Sequence, residues 1–237
     1  MKKLTVTLLC FLFLFPICVF AKDVSVKSGP ITEKFKKEFP KNTFESLTPT
    51  EIKGVYEVYT GNQIYYYMPQ NAIIIYGPII TKDGINLTRE SYSKRMAQKM
   101  ANLPLDSALK IGNGKTTVVE FMDPNCYHCR QGYKYFSQRQ DVTMYIFFFP
   151  LSKESGDKIK HILCSKDVLK TYHDVMNGKL DNKAQLNVCA DKKVEDTVKT
   201  QMQIASQIGV RGTPLFYIKG QVFDGFDSAA IEKLLKD

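Results

Sequence analysis

Residues 118–130, VVEFMDPNCYHCR, constrain this chain more than any other stretch. A short apolar run is broken at Asp123-Pro124, and Cys126 and Cys129 follow in a C-x-x-C pair. The pattern predicts a strand, a turn, and a helix starting at the first cysteine. Unpaired backbone N–H groups at a helix N-terminus favour an anion. The thiolate is the reactive form of cysteine, so this is where a nucleophilic thiol belongs. A lone C-x-x-C is also half of a zinc site, and the rest of the chain has to separate the two readings.

The N-terminus decides the compartment. Lys2 and Lys3 precede an apolar run from Leu4 to Phe20, which ends in Val19-Phe20-Ala21. Residues 1–21 read as a cleaved secretory signal peptide, too short for a membrane anchor and followed at once by charge. Ile17 before Cys18 disfavours a lipoprotein, and no later stretch is apolar enough to span a bilayer. Cleavage removes Cys10 and Cys18 and leaves Cys126, Cys129, Cys164 and Cys189, an even set that suits an oxidising compartment. It also removes Lys2 and Lys3, which reduces the formal charge from +9 to +7. That excess is spread along the chain without an Arg-rich block, so nucleic acid is not an expected partner.

Beyond the leader the hydrophobic period changes three times. Ile31, Phe35 and Phe39 are four apart and predict an amphipathic helix within 22–41, ended by Pro40. Thr48-Pro49 opens a second segment. Residues 52–81 are rich in β-branched and aromatic side chains and predict three short antiparallel strands, with a hairpin at Gly61-Asn62. So small a sheet suggests pairing with a second copy, or packing on its own chain. Thr88 is the expected cap of a connector helix with a narrow stripe of Tyr92, Met96, Met100 and Leu103, ended by Pro104. From Ser107 the order is strand, helix, very apolar strand, a largely helical stretch over 153–210, two strands around Lys219-Gly220, and a last helix. That is the order of a thioredoxin fold carrying a helical insertion. The expected class is thus mixed: a small antiparallel-sheet domain (22–86), a linker helix (87–106) and an α/β domain (107–237).

Redox chemistry fits this setting better than zinc. Possible zinc ligands are His128, His161, His173, Cys164 and Cys189, but a second C-x-x-C is missing because Cys164 and Cys189 stand far apart. Those two bracket 25 residues inside the helical stretch, and a structural bridge between them is the preferred reading. Arg211-Gly212-Thr213-Pro214 precedes an apolar strand, where a thioredoxin fold places a cis proline facing the C-x-x-C. There the Thr213 backbone can pair with an extended substrate. His128, when protonated, can stabilise a Cys126 thiolate; the alternative is an exposed histidine without a role. Glu120 lies six residues before Cys126. Alternation along the strand turns it inward, where a carboxyl beneath the dithiol could relay a proton to or from Cys129; the alternative is a solvent-facing glutamate.

FMDPNCYHCR, Cys164-Ser165-Lys166-Asp167, Asp174-Val175-Met176-Asn177-Gly178-Lys179 and GVRGTP follow the Gly77-Pro78 sheet and linker helix in this order. In this the chain resembles the DsbC/DsbG family of periplasmic disulfide isomerases. The resemblance implies an N-terminal dimerisation domain, a helical linker and a C-terminal thioredoxin domain. It implies a V-shaped homodimer whose cleft binds misoxidised or unfolded exported proteins, held apart from the oxidase-recycling machinery. It implies Cys126 as nucleophile, Cys129 as resolving thiol, Thr213-Pro214 as the cis-proline loop and Cys164–Cys189 as a structural disulfide. A DsbD-type membrane reductase would keep the pair reduced. No metal or cofactor is expected, because the dithiol itself carries the electrons. The Tyr127-His128 dipeptide and Glu120 depart from the isomerase pattern and resemble DsbA-type oxidases, which implies a more oxidising pair. A dithiol oxidase and a chaperone that needs only the cleft are the rival readings.

Overall fold

The computed structural model describes residues 29–181 and 186–236. The expected signal peptide, and the start of the region assigned to the first helix, lie outside these residues. Helix α1 spans Pro30–Glu38, with Pro30 pre-setting its first turn. Its apolar stripe buries Phe35 completely and packs Ile31 and Phe39 beside it. The chain leaves the helix before Pro40, as the clash of a proline ring with the preceding residue requires.

Four antiparallel strands follow, one more than the sequence pattern predicts. They are β1 (Ser46–Pro49), β2 (Tyr56–Tyr59), β3 (Ile64–Met68) and β4 (Ile73–Ile75), in the order β1-β2-β3-β4. The extra strand contains Thr48-Pro49. Proline is tolerated there because β1 is an edge, where a missing N–H breaks no ladder. Alternation sorts the sheet's two faces. Val58, Tyr65 and Tyr67 turn toward Phe35 of α1, whereas Glu57 and Tyr59 turn toward the next helix.

That helix, α2, spans Leu87–Met100. Asn86, not Thr88, caps it by accepting from the Arg89 N–H. Thr88 lies inside the first turn, where its hydroxyl accepts from Ile79 N–H at 2.9 Å and meets the Tyr66 hydroxyl. Arg95 pairs with the buried Glu57 at 2.7 Å and stacks 4.6 Å from the Tyr59 ring centroid. Met96 and Met100 face the other way, into the C-terminal core. The helix therefore packs on both sheets, which explains its narrow apolar stripe.

A short 3-10 turn (Leu105–Ser107) leads to β5 (Leu109–Ile111), a three-residue edge strand with no period long enough to read in sequence. Then come β6 (Thr116–Met122), α3 (Tyr127–Phe136) and β7 (Val142–Phe148). The helical stretch resolves into α4 (Lys153–Leu163), α5 (Val168–Met176) and α6 (Lys192–Ile208). β8 (Leu215–Ile218), β9 (Gln221–Asp224) and α7 (Ser228–Lys236) complete the chain. The sheet order is β5-β7-β6-β8-β9, with β6 and β7 parallel and every other pair antiparallel. β6 and β7 are buried on both faces. Val118, Met122, Met144, Ile146 and Phe148 face α3, α4, α5 and α7, while Val119, Phe121 and Phe147 face α2 and α6.

Cys164 and Cys189 are joined, closing a separation of 25 residues. The bridge ties the end of α4 to the segment before α6. Loop closure of that length is worth roughly 3 kcal/mol in the chain-entropy picture. Replacing both with alanine should lower the unfolding free energy by about 2–4 kcal/mol in urea titration, each protein fitted with its own m. A loss below about 0.5 kcal/mol would show that the bridge adds nothing to the fold.

Candidate active site

β6 ends at Met122, and its terminal turn presents the reactive pair. Cys126 is the N-cap of α3, with extended backbone, and its carbonyl accepts from Arg130 N–H at 3.1 Å. Its sulfur is half-buried and donates to the Thr213 carbonyl at 3.3 Å. Thr213–Pro214 is a cis peptide. Cys129, one turn on, is 0% exposed. Burial pushes its thiol far up, and the Glu120 charge adds to this; the Asp123 backbone and Thr213 side chain offset part of it. Both cysteines are free thiols. The geometry gives one accessible sulfur at a helix N-terminus and one shielded sulfur behind it.

The two tuning candidates part company. Glu120 faces inward, 1% exposed, on the β6 face that packs against Cys129 and Tyr133. Burial, and then the Cys126 charge, push its carboxyl well above the usual range. Its Oε1 has no hydrogen-bond partner among the described residues, and Glu120 lines a cavity of about 30 Å³ together with Tyr133 and Tyr172. That volume has room for a water. His128 and Tyr127 point outward, with Tyr127 68% exposed. The His128 Nδ1 meets Gln131 Oε1 at 3.0 Å, and the two rings stand edge to face.

The zinc alternative is dispersed. Cys164 and Cys189 are consumed by their bridge, His161 Nδ1 accepts from Asn187 N–H, and His173 Nδ1 bonds the Tyr133 hydroxyl. Among the described residues, no three His, Cys, Asp or Glu side chains gather to hold a metal ion.

A supporting frame is present that sequence reasoning missed. The Asp123 carboxylate, 1% exposed, accepts from Asn125 N–H (2.7 Å), Leu151 N–H (2.6 Å) and the Ser155 hydroxyl (2.8 Å). It stitches the active-site turn to the loop after β7. On the other side Arg130 donates to the Pro124 carbonyl at 2.8 Å and grips Asp181 with both terminal nitrogens. Lys158, its side chain 3% exposed, donates to Asp181 and to Asn125 at 2.6 Å each. The Arg130 guanidinium, with help from Lys158, holds the Asp181 carboxyl well below the usual range despite its partial burial. Asp181 lies 51 residues from Arg130, so no local pattern announces the pair.

Known proteins divide the chain in the same sense. The disulfide bond isomerase protein N-terminal domain matches residues 21–89, and a thioredoxin-like domain matches residues 103–237. A probable thiol:disulfide interchange protein DsbC of Bordetella avium is 30% identical over 198 residues, covering 80% of this chain and 69% of that protein. The chain belongs to the DsbC family of thiol:disulfide interchange proteins. The DsbC protein of Escherichia coli K12 is 25% identical over 179 residues, 71% of this chain and 70% of its own. The thiol-disulfide exchange protein alpha-DsbA2 of Wolbachia pipientis shares the fold, with a TM-score of 0.50 at 19% identity over 64% of this chain and 98% of that one. As a DsbC-family member with a thioredoxin-like domain, this protein is a thiol–disulfide oxidoreductase.

Glu120 gives the site a pH signature. An unfolded chain ionises it near 4.5, whereas the folded site raises that value. Below pH 4.5 both states are protonated, and the stability associated with neutral Glu120 is fully present. As pH rises toward the folded value the unfolded state gains charge first, and native stability falls. Reduced Glu120→Gln should therefore match the wild type near pH 4 and exceed it increasingly above 4.5, by up to about 1.4 kcal/mol per pH unit. Parallel urea midpoints from pH 4 to 8 would show that Glu120 is not buried against its charge.

Proposed function

We propose that this protein is a periplasmic disulfide isomerase in which Cys126 is the nucleophile and Cys129 the resolving thiol. The observation that carries the reading is the contrast between the accessible Cys126 at a helix N-cap and the buried Cys129. The Cys126 thiolate attacks one sulfur of a wrong substrate disulfide. A Cys126–substrate disulfide forms, and the other substrate sulfur leaves as thiolate. A different substrate thiolate then attacks the substrate sulfur of that bond, which releases a rearranged disulfide and regenerates the Cys126 thiolate. Alternatively Cys129 loses its proton and attacks Cys126, which releases the substrate thiolate and leaves a Cys126–Cys129 disulfide. Burial disfavours the Cys129 thiolate, prolongs the mixed disulfide and favours rearrangement over reduction. When the second route is taken, Glu120 would accept the Cys129 proton only after giving up its own, because the buried carboxyl favours the neutral form.

Two electrons must re-enter after that second route, and the dithiol of a DsbD-type membrane reductase would supply them. The dithiol needs no cofactor. Export by a cleaved signal peptide would bring the enzyme to misoxidised or unfolded periplasmic proteins. Their extended segments would pair with the Thr213 backbone. A homodimer through the N-terminal sheet accounts for β4, an edge strand with Ile73 and Ile75 exposed, next to exposed Tyr76 and Ile80.

A second reading, a dithiol oxidase, is favoured by one observation, the inward-facing carboxyl of Glu120. Cys126→Ala should abolish refolding of scrambled ribonuclease, while Cys129→Ala should accumulate a mixed disulfide with substrate. Retained refolding in Cys126→Ala would refute the exchange mechanism. The resting state of the pair in cells separates the readings: mainly reduced for an isomerase, mainly oxidised for an oxidase. Light scattering at micromolar concentration should give twice the chain mass, and a monomer would refute the dimer.

A further inference from the structure

Tyr92 and Lys99 lie seven residues apart on α2, a spacing that places them on one helix face. The Tyr92 hydroxyl donates to the Gly209 carbonyl at 2.8 Å, across 117 residues of sequence. Lys99 Nζ donates to the Gln207 carbonyl and to the Gly61 carbonyl, each at 3.0 Å. Gly209 is the left-handed cap of α6, with φ 92°. A Cβ there would stand 2.6 Å from the Tyr92 oxygen, so the close approach requires glycine. The four residues before the cis proline come next. Val210 is buried in the same cluster as Met96 and Met100 of α2, and the Arg211 guanidinium stacks 5.0 Å from the Tyr92 ring centroid. Thr213 then offers its carbonyl to the Cys126 thiol, and Pro214 accepts from Gly225 N–H at 2.9 Å.

We propose that Tyr92 and Lys99 are positioning residues for disulfide exchange. From the linker helix they hold the residue 207–213 segment so that the Thr213 backbone stands beside Cys126 in a shape that accepts an extended substrate. Lys99 does this from the last turn of α6, at Gln207, while also gripping the hairpin turn at Gly61, so one ammonium joins the N-terminal sheet to the helix end from which the substrate-facing loop departs. The inference rests on the exchange reading above and adds to it the residues that set the loop.

Tyr92→Phe removes only the hydroxyl and leaves the ring under Arg211. Lys99→Met removes the ammonium and keeps the stem. Each variant of the mature protein is assayed on two substrates in excess reduced glutathione, whose thiols return two electrons to the pair after each turnover. One is a small symmetrical aromatic disulfide, which engages the sulfur alone. The other is a disulfide-bonded unstructured peptide, which also engages the loop. The expected result is a rise in peptide KM that lowers the peptide-to-small-disulfide ratio of kcat/KM about fivefold in each variant. An unchanged ratio in both variants overturns the proposal, whether activity is retained or falls equally on both substrates. If one variant fails to fold by circular dichroism, the other carries the test. A wild-type protein inert toward both disulfides would refute the exchange reading itself.

Discussion

Seven consecutive parallel residue pairs, from Thr116 with Val142 to Met122 with Phe148, hold the rest of this molecule in register. Parallel strands need a crossover, and α3 is that crossover, so its N-terminus falls at the C-terminal edge of β6. The loop after β7 leaves at the same edge, within reach of the Asp123 carboxylate. β8 runs antiparallel on the other flank of β6, with Leu215 opposite Phe121. The residues that precede β8 therefore lie beside those that follow β6, which brings Thr213 to Cys126. A slip of one residue would turn Glu120 to the α2 and α6 face and separate it from Cys129.

Electrostatics then sorts the groups that share this edge. Glu120 and Cys129 are both buried, and both favour the neutral state. Each one's charge raises the cost of charging the other. Cys126 differs in lying half-exposed at the end of α3, where backbone N–H groups face negative charge. The site therefore holds two groups that favour the neutral state behind one accessible sulfur. That constraint distinguishes two chemically identical side chains three residues apart.

The parts of the fold legible in sequence are those with long, clean periods. β6, β7 and α3 announce themselves by apolar runs and a turn signal, and the four mature cysteines by their number and spacing. β1 and β5 were hidden because neither is rich in β-branched or aromatic residues: Ser46–Pro49 ends in a proline, and Leu109–Ile111 has a lysine at its centre. The helix cap was misplaced because Asn86 and Thr88 are both competent caps, and only the tertiary partners of Thr88, the Ile79 amide and the Tyr66 hydroxyl, decide between them. The inward orientation of Glu120 followed from alternation along β6, but its complete burial depends on the helices packed over that face, which no strand pattern specifies. Arg130–Asp181 and Tyr92–Gly209 are tertiary coincidences across 51 and 117 residues. No local rule reaches them.

His128 and Glu120 both invite comparison with oxidases, but their environments give them unequal weight. His128 is exposed, and its ring is engaged with Gln131. A charge there acts through water, where a pair at 4 Å is worth about 1 kcal/mol and salt weakens it further. Glu120 acts from inside the sheet, in a medium where the same separation is worth about four times as much. Its charge raises the Cys129 thiol, and the Cys126 charge raises its own carboxyl. A charge beneath the pair therefore acts on the cysteines more strongly than one on the exposed dipeptide between them. In this chain the exposed dipeptide is the more conspicuous feature in sequence, and the buried carboxyl the one whose charge is felt at Cys129.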